Sequence, residues 1–187
     1  MSSVNVKGKI IEAFCALLTQ QSFSLIKVTD IINKAGISHM SFYRNYQDKY
    51  ALVEEICYDD FNLFVKIYGK NALWKEIVIC ILNAVKSNAS FYRKIFIEDA
   101  SMQCAINALM RISREQTGNT AKKNAYISWH NVLQDWARSN FSDLVEDVYW
   151  TLVINLPLCE VLPDSELKRA VDQYERQSMH HFKIKQS

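Results

Sequence analysis

Residues 26–52, IKVTDIINKAGISHMSFYRNYQDKYAL, decide how the rest of this 187-residue chain is read. Val28, Ile31, Ile32 and Ala35 fall on one face at helical spacing, which predicts a short helix over Val28–Ala35 with Thr29, Asn33 and Lys34 outside. Gly36 follows, where a helix end wants a residue free to take positive φ. Ser38 is placed to cap a second helix, its hydroxyl accepting from the free amides of the next turn. Ile37 and Phe42 flank that cap at the spacing of a hydrophobic staple. Asp48 then predicts the cap of a third, longer helix. Two short helices joined at a glycine turn make a helix-turn-helix, whose second helix can offer its leading end to a major groove.

On this reading His39, Met40 and Ser41 open the second helix, flanked by Tyr43, Arg44, Tyr46 and Lys49. The order V-x-D-I-x-x-x-A-G-I-S-x-x-S-F-Y-R-x-Y-x-D-K-x-x-L resembles the DNA-binding domain of TetR-family transcriptional regulators, over about residues 10–52. The run AGIS…FYRNYQDK carries the likeness. Two positions depart from the family pattern. Lys27 stands where relatives carry Thr or Ser as a helix cap, and a lysine cannot accept from helix amides, although its ammonium can reach a phosphate. Met40 stands where many relatives have a small residue.

The resemblance implies an all-α fold of about nine to ten helices: a three-helix DNA-binding domain over residues 1–48, then a helical body for effector binding and dimerisation over residues 49–187. It places Tyr43, Tyr46 and Lys49 at phosphate-contacting positions, where donors on a rigid frame set register without reading sequence. His39, Met40 and Ser41 would read bases, since a hydroxyl or imidazole can bond base edges and a thioether can touch a thymine methyl. Lys27, Thr29 and Ser38 complete the expected contact set. In the body, Tyr58, Phe61, Phe64, Phe91, Phe96, Met102, Met110, Trp129 and His130 would line a pocket for a small, largely apolar effector. Their other reading is plain bundle core. Trp129, Val132, Leu133 and Trp136 on one late helix, with Val145, Val148, Tyr149, Leu152 and Val153 on the next, would form a four-helix dimer interface. Internal packing is the competing use. A two-fold dimer implies a near-palindromic duplex operator.

Composition sets the outer bounds. Nearly half the residues are apolar, with four Gly and two Pro, which favours a helical chain over a turn-rich β protein. Residues 1–50 hold six Lys/Arg against three Asp/Glu and the remainder sixteen against seventeen, a mild basic bias in the head. Cys15, Cys57, Cys80, Cys104 and Cys159 form no CxxC pair and have no histidine at metal spacing, so they read as small buried hydrophobes in a reducing compartment. No metal or other cofactor is expected. Neither a signal-like segment nor a membrane-length apolar run is visible, and a soluble cytoplasmic protein is expected. No nucleophile elbow, P-loop, metalloprotease or dinucleotide signature is found, so an enzyme is not expected.

Along the chain, periodicity predicts a first helix over 6–20 with Val6, Ile10, Phe14 and Leu17 inward, and Phe23 and Leu25 crossing back under the motif. A fourth helix over Lys49–Tyr68 would join head to body. Helices follow over 72–87, 90–99, 101–114, 124–139, 143–156 and 164–182, with the polar stretch 116–123 as a loop. The functional expectation is a repressor released from its operator by a small effector. The alternative is a DNA-tethered adaptor or co-activator whose body binds a protein.

Overall fold

The computed structural model describes residues 3–68, 74–117 and 127–154; of the loop expected at 116–123, residues 116–117 end a helix and 118–123 lie outside the described residues, as do the last helix at 164–182, Cys159, and the side chains of Phe64 and Val153. Nine α-helices and one 3-10 turn make up the described chain. No helix among the described residues is long and apolar enough to cross a membrane.

The head begins with α1 (Ser3–Gln20). Ile10, Ala13, Phe14 and Leu18 are buried, and Val6 and Leu17 are only partly covered. A single 3-10 turn, Phe23–Leu25, links α1 to the motif. Here the expected crossing is half right. Phe23 is fully buried, but Leu25 is 63% exposed. At three residues per turn, side chains two positions apart point to different sides, so only one of the pair can enter the core. The Phe23 ring sits edge-on between Phe14 and Tyr50, at 6.3 and 5.4 Å.

Helix α2 (Val28–Ala35) has the limits its apolar face predicts and buries Ile31 and Ile32. Lys27 offers its first turn no side-chain acceptor. The Asp30 carboxylate compensates from the other side by accepting the Lys27 backbone N–H at 2.9 Å. Gly36 ends the helix at φ 62°, ψ 42°. The Gly36 and Ile37 amides donate back to the Asn33 and Ile32 carbonyls at 3.2 and 3.3 Å, the paired bonds of a Schellman motif. Ser38 then caps α3 (His39–Tyr43), its hydroxyl accepting from the Ser41 amide at 3.1 Å. Phe42 is the buried anchor of this short helix.

Helix α4 (Lys49–Tyr68) opens with Asp48 accepting the Ala51 amide at 2.8 Å. Leu52, Val53, Ile56, Cys57, Phe61 and Val65 run along its buried side. The body continues as α5 (Trp74–Ser87), α6 (Ala89–Ile97), α7 (Asp99–Thr117), α8 (Ile127–Arg138) and α9 (Val145–Ile154). Helix α4 packs chiefly along α7, α8 lies on α6, and α9 closes against α5 and α8. Helix α1 rests on both α2 and α6, so the small head leans directly on the body. At the α6–α7 corner the buried Ser101 hydroxyl donates to the Ile95 and Glu98 carbonyls, at 2.8 and 3.1 Å. Asn140 and Phe141 end α8 at φ 57° each, a conformation costly for side-chained residues. The buried Phe141 ring, 4.9 Å from Trp136, offsets that cost.

A Cβ placed on Gly36 would meet nothing within 4 Å, so only its positive φ resists substitution. Gly36→Ala should therefore cost about 1 kcal/mol, and Gly36→Asn less. The midpoint of urea unfolding, at an unchanged slope, measures both.

Candidate nucleic-acid interface

Helix α3 presents one edge outward. His39 is exposed, and Met40 and Tyr43 are 71% and 57% exposed, while Phe42 between them is fully buried. Lys27 and Thr29 at the start of α2 are exposed, as are Ser38 and Arg44. Ser41 is half-buried and its hydroxyl pairs with that of Ser38 at 2.9 Å, so both serve the cap in this state. The Asn45 side chain donates to the Ser41 carbonyl at 2.7 Å and closes the far end of α3. The result is a short rod, held at both ends and by its underside, with an imidazole, a thioether and a phenol on its outer edge.

Two residues expected at phosphates are placed otherwise. The Lys49 ammonium donates to the carbonyls of Phe23, Ser24 and Ile26, at 2.8, 3.1 and 2.8 Å. An ammonium has three donors, and all three are used within the chain. It also lies 4.4 Å from the centroid of the Phe23 ring. Burial holds its pKa below the ordinary lysine value, and the nearby Glu98 carboxylate pulls the other way. Tyr46 is 4% exposed, and its hydroxyl is buried with no hydrogen-bond partner. Burial, then Glu55 and Asp59, push its ionisation up to about 12. Both side chains stabilise the frame of the motif rather than reaching out from it.

From the body, Glu98 meets the same turn. Its carboxylate accepts the Phe23 and Ser24 amides at 2.6 and 2.9 Å. Sequence reasoning missed this residue, because its partners lie 75 and 74 positions away and no local pattern marks it.

The described members of the expected effector set lie mostly within or against the core. Phe61, Phe96, Met102 and Trp129 are buried in the continuous core, and Phe91 and Met110 are partly buried against it. Phe61 and Phe96 both pack on Tyr92, at 5.8 and 5.4 Å. The Tyr58 hydroxyl donates to Glu115 at 2.6 Å, beneath the Arg111 guanidinium 3.7 Å above its ring. The His130 Nε2 lies 3.5 Å from Asp99. Glu115 and Asp99 stand at opposite ends of α7, about 24 Å apart at 1.5 Å per residue. Tyr58 and His130 therefore cannot be two polar tips around one small molecule.

The expected dimer residues also turn inward. Trp129, Leu133, Trp136, Val145, Val148, Tyr149 and Leu152 are buried within the chain's own core, and Val132 is partly covered. An amphipathic stripe must face something, and here the neighbouring helices supply it. Between α8 and α9 lies an open groove of about 530 Å³ edged by Asn131, Val132, Asp135, Asp147 and Thr151. A second, of about 500 Å³, is edged by Asp60, Leu63, Cys80, Asn83 and Ser87. Neither is lined by any residue of the expected effector set. Cys15, Cys57, Cys80 and Cys104 are free thiols, and burial raises the pKa of Cys15, Cys57 and Cys104. Among the described residues no group of three or more His, Cys, Asp or Glu can hold a metal ion.

Residues 10–56, the span that builds this head and the start of α4, match the model of the family described as bacterial regulatory proteins, tetR family. The head is thus similar to a TetR-family DNA-binding domain. The chain is 28% identical over 101 residues to the HTH-type dhaKLM operon transcriptional activator DhaS of Lactococcus lactis subsp. lactis (strain IL1403). That match covers 54% of each protein, so the chain spans about half the length of this curated relative. The TetR transcriptional regulator from Streptococcus agalactiae 2603V shares its fold, with a TM-score of 0.56 at 23% identity over 82% of this chain and 95% of that one. TetR-family proteins are regulators and not enzymes.

Lys49→Met should destabilise the fold by about 1.5–3 kcal/mol, since bonds to a charged group are lost from three carbonyls. Guanidinium or urea unfolding reads this directly. Tyr46→Phe removes a buried hydroxyl that has no partner, so stability at neutral pH should hold or rise slightly. A phenol whose ionisation is raised in the fold contributes fully below the ordinary tyrosine value of about 10 and loses that contribution as pH climbs through about 12. Unfolding free energy should therefore fall between about pH 10 and 12, and less steeply in Tyr46→Phe.

Proposed function

We propose that this chain is a homodimeric, sequence-specific regulator of the TetR type that holds duplex DNA through the outer edge of α3. One observation carries the reading: a five-residue helix, capped at both ends, buries Phe42 and leaves His39, Met40 and Tyr43 facing out. A helix fixed so firmly by its underside, with that edge uncovered, suits major-groove docking. In the proposal His39 and Met40 read bases. Tyr43, Lys27 and Thr29 reach sugar-phosphate, with the exposed Arg44 beside them. Ser38 and Ser41 hold the cap, and Lys49 and Tyr46 support the frame from behind. Two copies on a two-fold axis would set their α3 helices about 34 Å apart, one turn of B-DNA, so the operator is near-palindromic. The DNA places the site of action in the cytoplasm.

For the body, two observations favour the adaptor reading over an effector-released repressor. Aromatic side chains expected around a small molecule pack on one another instead. The Lactococcus lactis relative is named as an activator of an operon. An open groove between α8 and α9 is better suited to a protein partner than to an enclosed apolar ligand.

Selection from a random duplex pool should return a near-palindrome. His39→Ala and Met40→Ala should then relax preference at particular base pairs, each losing about 1–3 kcal/mol of discrimination. Tyr43→Phe should weaken all sequences alike. Recovery of no preferred sequence would remove the proposal.

A further inference from the structure

Glu98 stands at the corner between α6 and α7, in extended backbone at φ −101°, ψ 126°. The body fixes that corner from several sides. Ser101 donates to its carbonyl, and the Met102 amide bonds to the same oxygen at 2.9 Å. From α8, the buried Gln134 side chain donates to the Ile97 carbonyl at 3.3 Å and the Asp99 carboxylate at 3.1 Å. The backbone on either side of Glu98 is thus tied to both α7 and α8.

What Glu98 reaches belongs to the head. The 3-10 turn Phe23–Leu25 has free amides at its start and free carbonyls at its end, as any helix does. The Glu98 carboxylate takes the first two amides, and the Lys49 ammonium donates to the carbonyls of Phe23, Ser24 and Ile26, the first of which also accepts the Ile26 amide. Negative charge at the amide end and positive at the carbonyl end matches the dipole of the turn. One clamp jaw therefore comes from the body corner and the other from the first residue of α4. The turn between them leads straight into α2, which sets the position of α3 through Gly36.

We infer that Glu98 is a positioning residue for DNA binding: it touches no DNA, but by gripping the 22–26 turn it fixes the angle at which the body carries the recognition helix. The inference rests on the DNA-binding reading above. Because the head has its own buried centre around Phe14, Phe23, Ile31 and Phe42, releasing Glu98 loosens the angle without unmaking the motif. In a two-fold dimer, a loose angle means that the distance between the two α3 helices is no longer set. A single half-site would not sense the change. A pair of half-sites would.

The test uses the full chain and a palindromic duplex selected by the wild-type protein, the same duplex with one base pair inserted at its centre, and a single half-site. Wild type should lose tenfold or more in affinity on insertion. Glu98→Ala should lose less than threefold on insertion, with half-site affinity within twofold of wild type. Glu98→Gln, which keeps one acceptor, should fall between. An insertion penalty in Glu98→Ala equal to that of wild type overturns the inference, as does a half-site affinity that falls in parallel. If wild type selects no sequence, the function proposal fails, and hydrogen exchange still decides this one. Glu98→Ala should speed exchange of the Phe23 and Ser24 amides about tenfold while the Ile32 and Phe42 amides keep their rates. Unchanged exchange at Phe23 and Ser24 contradicts the clamp.

Discussion

A one-turn helix held between opposite charges is the constraint on which this structure turns. The segment after α1 must reverse quickly and enter α2, and it does so with backbone groups that no regular ladder satisfies. Partly buried polar groups of that kind are costly unless paired. Glu98 and Lys49 pair them, from the body and from α4. A head of about fifty residues buries too little surface to be secure alone. Its stability is therefore shared with the helices it leans on, and its orientation is set by the same contacts.

From that anchored turn the geometry of the motif follows in short steps. Asp30 completes the first turn of α2 where Lys27 cannot, Gly36 reverses the chain at positive φ, and Ser38 starts α3 again. Each step is local and each leaves little freedom to the next. The outward edge of α3 is the end product. Function in a protein of this kind lives in where that edge points, because few side chains on it can reach a base.

Much of this was legible in the sequence, and the reasons are physical. The limits of α2 and α4, the glycine end cap and the serine start cap are all written in residues within four positions of one another. Lys49 shows where legibility stops. Its place in the motif suggests a phosphate, but its three carbonyl partners lie 23 to 26 positions back, in a turn that periodicity does not describe. Glu98 is farther still from its partners and carries no local mark. Tyr46 and Leu25 exchanged the exposures expected of them, since a short 3-10 turn and the turn that follows a five-residue helix have no periodic face to read. The stripes on α8 and α9 were seen correctly as apolar. A stripe does not say which surface it meets, and here the meeting is with the chain's own core.

The central claim is that duplex DNA meets this protein at the outer edge of α3. Hydrogen exchange of the full chain, with and without the duplex it selects, tests that most directly. Slowed exchange is expected in residues 27–44, with the α8–α9 groove unchanged on the time scale of binding. Slowing confined to the body, with the amides of α2 and α3 exchanging as they do in the free chain, would contradict it.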